Sequence, residues 1–304
     1  MTDHQLLPIR RRTTLANRDV ARMAFGTMRL AGAPVAQVGT CLEAARDAGI
    51  DVLDTAPIYG AGGPGFGDVE GRIGAAWADT PSLRDAFVLV TKAGIVPGLP
   101  YDASAEALTA SCEASLRRLR TERIDLFLVH RPDHLAGHAE TAAALDQLIV
   151  SGKVGAVGVS NYTPAQVRAL GRWLDAPLVA NQIEASPLAI DALGDGTLDQ
   201  CEERGIVPMA WSPLGGGRLL SEGADRSERE DAVRVALDRI AVAAGAGLDV
   251  AALAWLLAHP AGIVPVLGTG RPERIAAAMQ AFEVGLSRPD WYAVLEASRS
   301  APMP

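Results

Sequence analysis

Short aliphatic runs punctuate the chain at residues 23–25, 51–53, 87–90, 124–129, 154–159, 178–180, 206–210 and 263–267, eight in all. They are too short for helices and mostly apolar without alternation, which is the pattern of parallel strands buried on both faces. Between them apolar positions recur at helical spacing, for example over 35–48, 104–119, 139–150 and 227–244. Ser104 stands where a helix would be capped, and Pro164 after Thr163 falls at a first helical position. Gly49, Gly152 and Gly205 stand where helices should stop. Strands alternating with helices predict βαβ units and an α/β fold. Eight such units fit a closed (β/α)₈ TIM barrel over residues 1–304 as one domain. Trp291, Tyr292 and Leu295 predict an added C-terminal helix after Ser287. The competing fold is an open doubly wound sheet, but the G-x-G-x-x-G that usually marks it does not follow Phe25. Residues 60–67, rich in Gly and Pro, predict a flexible loop, and 223–229 a second, mobile one.

Composition narrows the classes. Hydrophobic residues make up 49% of the 304 and charged ones 21%, enough apolar surface for a sizeable core. A net charge of -8 argues against nucleic acid as the main partner, though a local basic pocket is compatible with it. Cys41, Cys112 and Cys201 are too scattered for a disulfide framework or a zinc site, so no metal is expected and a reducing, cytoplasmic setting fits. Arg10, Arg11 and Arg12 precede no apolar run, and no stretch is long enough to span a membrane, so neither a signal peptide nor a membrane partner is expected. The oligomeric state stays open; a monomer is compatible with the pattern.

The active site of such a barrel lies at the C-terminal ends of its strands. Asp54 ends the second run, Lys92 the third and His130 the fourth. Ser160 and Asn161 end the fifth, and Asn181, Gln182 and Glu184 the sixth. Ser212 follows the seventh, Thr269 the eighth, and Tyr59 lies in the loop after Asp54. Singly, each has a structural reading as a cap, a gap-filler or a solvated charge. Together, Asp, Lys and His at successive strand ends are costly to bury unless they pair. A tyrosine beside an ammonium, the ammonium held by a carboxylate, and a histidine near the same oxygen would polarise a carbonyl and deliver a proton to it. They hold no hydride, so a cofactor must bring it.

Those residues sit in recognisable motifs. Asp54-Thr55-Ala56-Pro57-Ile58-Tyr59-Gly60, Val90-Thr91-Lys92, the run from Asp125 to His130, and Gly152-Lys153-Val154 through Ser160-Asn161 resemble, in order, four segments of the aldo-keto reductases. The match extends from about Gly26 to the last barrel helix. The resemblance implies Tyr59 as general acid, Lys92 lowering its pKa, Asp54 pairing with Lys92, and His130 orienting a small carbonyl substrate. It implies NADP(H) as cofactor. Ser160, Asn161 and Gln182 would hold the nicotinamide amide, Trp211 would stack on the ring, and Asp54 would also contact the cofactor. Gly26, Thr27 and Met28 would lie beside that end. Ser212, Pro213, Leu214, Gly216 and Arg218 would track the pyrophosphate. Gly268, Thr269, Gly270, Arg271 and Arg274 would surround the 2′-phosphate.

The chain also departs from the family pattern. Gly268 replaces a lysine common after the last strand, and Ala278 an asparagine, so NADPH is favoured without excluding NADH. Arg271 and Arg274 remain, and an arginine fork suits a phosphate. The loop at 60–67 is longer than usual and offers no charged clamp, so no acidic or sugar substrate is inferred. Histidine at 130 accompanies carbonyl reduction, whereas glutamate there accompanies reduction of carbon–carbon double bonds. Two other functions stand against this reading. Lys92 would be a Schiff-base nucleophile if its pKa were depressed. A slow-turnover, redox-sensing subunit would hold the dinucleotide without rapid catalysis.

Overall fold

A computed structural model describes residues 5–221 and 226–304. Eight parallel strands close a barrel: β3 (Ala24–Gly26), β4 (Val52–Asp54), β5 (Val88–Ala93), β6 (Ile124–Val129), β7 (Val154–Ser160), β8 (Leu178–Glu184), β9 (Val207–Trp211) and β10 (Val264–Leu267). They pair in chain order, and β10 pairs with both β9 and β3 to complete the ring. The (β/α)₈ barrel expected from the alternating pattern is the observed fold.

Two short strands precede it: β1 (Arg12–Leu15) and β2 (Arg18–Ala21) form an antiparallel hairpin that the apolar-run pattern does not reveal. Its Leu15 and Val20 pack among Ala24, Val52, Val88, Leu126, Val207 and Val264, the inward residues at the N-terminal end of the barrel. The hairpin therefore closes the bottom. Asp51 fixes it, accepting from Ala21 N at 2.7 Å and pairing with Arg12 at 3.1 Å.

The outer ring carries α1 (Val35–Asp47), α2 (Asp68–Asp79), α3 (Ser82–Asp85), α4 (Ala105–Leu119), α5 (His138–Val150), α6 (Pro164–Gly171), α7 (Thr197–Arg204), α8 (Glu228–Ala244), α9 (Leu248–Leu257) and α10 (Pro272–Ala278). Helix α11 (Arg288–Arg299) is the expected C-terminal addition and packs on α8. Ser104, Thr163 and Ser227 cap α4, α6 and α8 through their hydroxyls, and Thr163 and Ser227 do so in full capping boxes with Gln166 and Glu230. Helix α9 has no polar face; all its interior is buried, so it lacks the periodicity that marks a surface helix. Of the loop expected over 223–229, residues 223–225 lie outside the described ones, and 228–229 already belong to α8. No single helix among the described residues is long and apolar enough to cross a membrane.

Strand ends observed here differ from those expected in one informative way. Strand β8 runs four residues past Ala180, and β5 reaches Ala93. Polar side chains at the top of the barrel continue the strands rather than ending them.

Candidate active site

Period two on each strand decides what faces inward. Val52, Val90, Leu128, Ala180 and Met209 fill the interior. Two residues on, the same inner face carries Asp54, Lys92, His130, Gln182 and Trp211, and Ser160 lies level with Gln182. Asn181, one residue off this parity, instead donates its amide to Tyr162 O at 2.9 Å.

Asp54 is 2% and Lys92 0% exposed. Lys92 Nζ donates to both Asp54 oxygens at 2.8 and 2.9 Å, to Thr55 O at 2.9 Å and to Tyr59 Oη at 3.0 Å. These partners use all three protons of the ammonium. Burial pulls its pKa down, but Asp54 and then Tyr59 outweigh this and hold it raised. That is the reverse of what a Schiff-base lysine needs. Asp54 also accepts from Gln182 Nε2 at 2.7 Å.

Tyr59 Oη accepts from Lys92 and donates its own proton to Asp54 Oδ2 over 3.4 Å. A bond that long is weak, so an acceptor oxygen entering the cavity competes for the proton. Burial is the largest influence on the tyrosine pKa and pushes it up; Lys92 pulls it down, as expected of it, but Asp54 adds to the rise, so the phenol stands at about 12. The imidazole of His130 lies edge-on to Tyr59, with ring centroids 6.4 Å apart. Burial, and then the charges of Lys92 and Arg131, pull its pKa down to about 2, so it is neutral.

These groups open onto a cavity of about 810 Å³, lined among others by Gly26, Met28, Asp54, Tyr59, His130, Ser160, Asn161, Gln182 and Trp211. Ser212, Pro213, Leu214 and Gly216 also line it, as do Gly268, Thr269, Gly270, Arg271 and Arg274. Asn161 and Ser212 both adopt left-handed backbone, φ 60° and 51°. Such strain outside glycine clusters at functional sites. Asn161 Nδ2 donates to Ser160 Oγ at 2.8 Å and His130 O at 3.3 Å, while its Oδ1 accepts from Trp211 Nε1 at 2.9 Å. The indole is thereby oriented by its edge.

Two expected contacts lie elsewhere. Arg218 does not line the cavity; its guanidinium pairs with Glu230, the buried N3 carboxylate of α8, and its side chain is 68% exposed. Thr27 is buried behind the wall, where its hydroxyl donates to Asp54 O at 3.0 Å. The sequence reading missed Arg29, Gln37, Arg131 and Asp249, all of which line the cavity. Arg131 was within reach of that reading, since it directly follows His130; its guanidinium lies 5.7 Å from the centre of the Trp211 ring. Asp249 sits in the first turn of α9, whose apolar run hid the helix.

The loop expected at 60–67 is a run of turns. Gly63 N and Gly65 N both donate to Gly60 O, and Gly67 N to Pro57 O at 2.6 Å, folding it into closed turns.

A barrel with Tyr, Lys, Asp and His gathered at its C-terminal mouth defines a class. The chain belongs to the aldo/keto reductase family, whose profile matches residues 22–299, and it is accordingly an oxidoreductase. It is 47% identical over 307 residues to the 6-dehydroglucose reductase of Novosphingobium aromaticivorans, with 100% of each chain covered. It is 35% identical over 275 residues to oxidoreductase YdhF of Escherichia coli, covering 88% of this chain and 89% of that one. Among solved structures, an aldo/keto reductase from Klebsiella pneumoniae in complex with NADP and acetate superposes with a TM-score of 0.75 at 27% identity, over 95% of this chain and 94% of that one.

Proposed function

We propose that this chain reduces aldehydes or ketones to alcohols with NADPH, and that Tyr59 is the proton donor. The observation that carries the reading is the Tyr59 hydroxyl, bonded to a saturated Lys92 ammonium and lining a cavity of about 810 Å³. The cavity lies within the range of about 300–1,000 Å³ usual for cofactor sites. Its donor and acceptor set suits the group. Gln182, whose amide N–H₂ is engaged by Asp54, keeps a carbonyl oxygen to accept from a carboxamide. Ser160 and Asn161 line the cavity with it, Trp211 offers a ring face, and Arg271 and Arg274 offer cations. Bound there, the reduced nicotinamide supplies the hydride.

The chain's own residues do the rest. Neutral His130 donates an N–H toward the substrate oxygen, and Tyr59 gives its proton as negative charge grows there. Lys92, held charged by Asp54, stabilises the phenolate that remains. The reading covers the barrel as one domain in a reducing, cytoplasmic setting, supported by three cysteines that are all buried as free thiols. The name of the Novosphingobium relative favours a hydroxylated aldehyde as substrate. Arg131, beside His130, supplies N–H donors for such hydroxyls.

Tyr59→Phe tests the reading. Aldehyde-dependent oxidation of NADPH should fall by about two to four orders of magnitude while NADPH binding, followed by fluorescence titration, stays near normal. Full activity in that variant removes Tyr59 from the mechanism.

A further inference from the structure

Glu70 is a fully buried carboxylate that the chemistry above does not use. It sits in the first turn of α2, directly after the loop that follows Tyr59. Its Oε1 accepts from the hydroxyl of Thr91 at 2.6 Å, and Oε2 from Ser115 at 3.2 Å and from Arg118 Nε at 2.8 Å. Arg118 Nη2 closes a second contact at 2.7 Å. Thr91 immediately precedes Lys92 on β5, whereas Ser115 and Arg118 belong to α4.

Were Glu70 only a cement between α2 and α4, its bonds would stay between those helices. They do not. One oxygen reaches into the barrel wall beside Lys92. The arginine it holds lies under the end of the Tyr59 loop: the Arg118 guanidinium is 5.9 Å from the Phe66 ring centre, and a side chain at Gly67 would strike Arg118 Cδ and Nε. Gly67, at φ 82°, is where the loop turns into α2, and its N–H holds Pro57 O, two residues before Tyr59. At Gly74 the α2 backbone lies directly against Arg118 O, which fixes the helix spacing that lets Glu70 span both sides. Beside Gly67, the same end of the loop has a second tie: Asp68 accepts from Gly32 N at 3.0 Å and pairs with Arg72 at 2.8 Å.

A buried ion pair is weak evidence for added stability, since an apolar contact of the same shape is often as good. What this one adds is a rigid link from the Tyr59 loop to the strand of Lys92. We propose that Glu70, Arg118 and Thr91 are positioning residues that set the Lys92–Tyr59 contact, and that they confine a Gly- and Pro-rich loop which would otherwise let the phenol drift. The proposal rests on Tyr59 being the proton donor.

Thr91→Val keeps the side-chain shape and removes the bond to Glu70, and Arg118→Lys keeps the charge and removes the fork. Each folded variant should lose about tenfold to a hundredfold in kcat, with little change in substrate KM or in the NADPH dissociation constant. Thr91→Ser, which restores the hydroxyl, should recover most of the loss. Unchanged kcat in folded Thr91→Val and Arg118→Lys, with only the melting temperature lowered, overturns the positioning role. So does an equal loss in Thr91→Ser and Thr91→Val. Tyr59→Phe run in parallel separates the two readings: if it is inactive while the network variants are not, only the positioning role falls, and if it is active both fall.

Discussion

At the residue scale the chemistry depends on which groups carry charge. His130 sits two residues past an inward leucine, close to the Lys92 and Arg131 charges, with no carboxylate pairing it among the described residues. Its pKa is pulled to about 2, and Tyr59 is pushed to about 12. The sign follows directly. Under the proposed mechanism reduction needs the phenol protonated, so its rate should stay level until pH rises toward the alkaline limb of the coupled Tyr59–Lys92 unit. Alcohol oxidation needs the phenolate and should rise along the same limb. No inflection should appear near the ordinary histidine pKa of about 6.5. A profile of kcat/KM against pH checks this, and an acid limb near that value that vanishes in His130→Asn would show that the imidazole is charged. The identities of these four groups were legible in the sequence, because each follows a strand run by a short fixed step. The net direction of the tyrosine shift was not. A neighbouring ammonium is visible in a motif, but the depth of burial that outweighs it is a property of the packed barrel.

At the scale of elements, legibility tracked amphipathic contrast. Strands β6 and β10 stand out as largely apolar runs, and α4 and α8 as capped helices with one apolar stripe. Helix α9 escaped because it is apolar all round. The hairpin β1–β2 escaped because its strands, Arg12–Leu15 and Arg18–Ala21, each contribute few apolar residues amid charge. Those few matter. Leu15 is 1% exposed and plugs the barrel floor. Leu15→Ala should cost about 2–5 kcal/mol in urea unfolding, the range for a buried leucine whose site cannot collapse. Because the plug lies at the end opposite Tyr59, kcat below the unfolding transition should not change. A parallel fall in kcat would mean that the floor and the catalytic rim are mechanically coupled. The 60–67 loop carries the complementary lesson. Its composition announces a loop, but not what holds it: bonds between its own backbone groups and Arg118 beneath it, a partner some fifty residues away that no local pattern announces.

On the scale of the whole molecule, charge is distributed against the mean. The chain carries a net -8, which at long range repels an anionic dinucleotide. Yet Arg29, Arg131, Arg271 and Arg274 line the cavity, where the acidic groups among the described residues are Asp54 and Asp249, and Asp54 is neutralised by Lys92. Among the described residues neither Arg271 nor Arg274 has a carboxylate within pairing distance, so both are available to a phosphate. Two consequences separate NADPH from NADH. Arg274→Ala should raise the NADPH KM by about tenfold or more, the loss of a charge-assisted contact of roughly 1.5–3 kcal/mol, and leave the NADH KM nearly unchanged. Salt should then act differently on the two cofactors. Between low and physiological ionic strength, screening weakens an exposed arginine–phosphate attraction, so the NADPH KM should climb with added salt while that for NADH moves little. In Arg274→Ala the NADPH slope should flatten toward the NADH one. Measuring both Michaelis constants across a salt series, in both proteins, puts the assignment at risk: equal slopes in the unaltered chain would mean that the 2′-phosphate is held elsewhere, and that the arginines of the cavity answer to the pyrophosphate common to both cofactors.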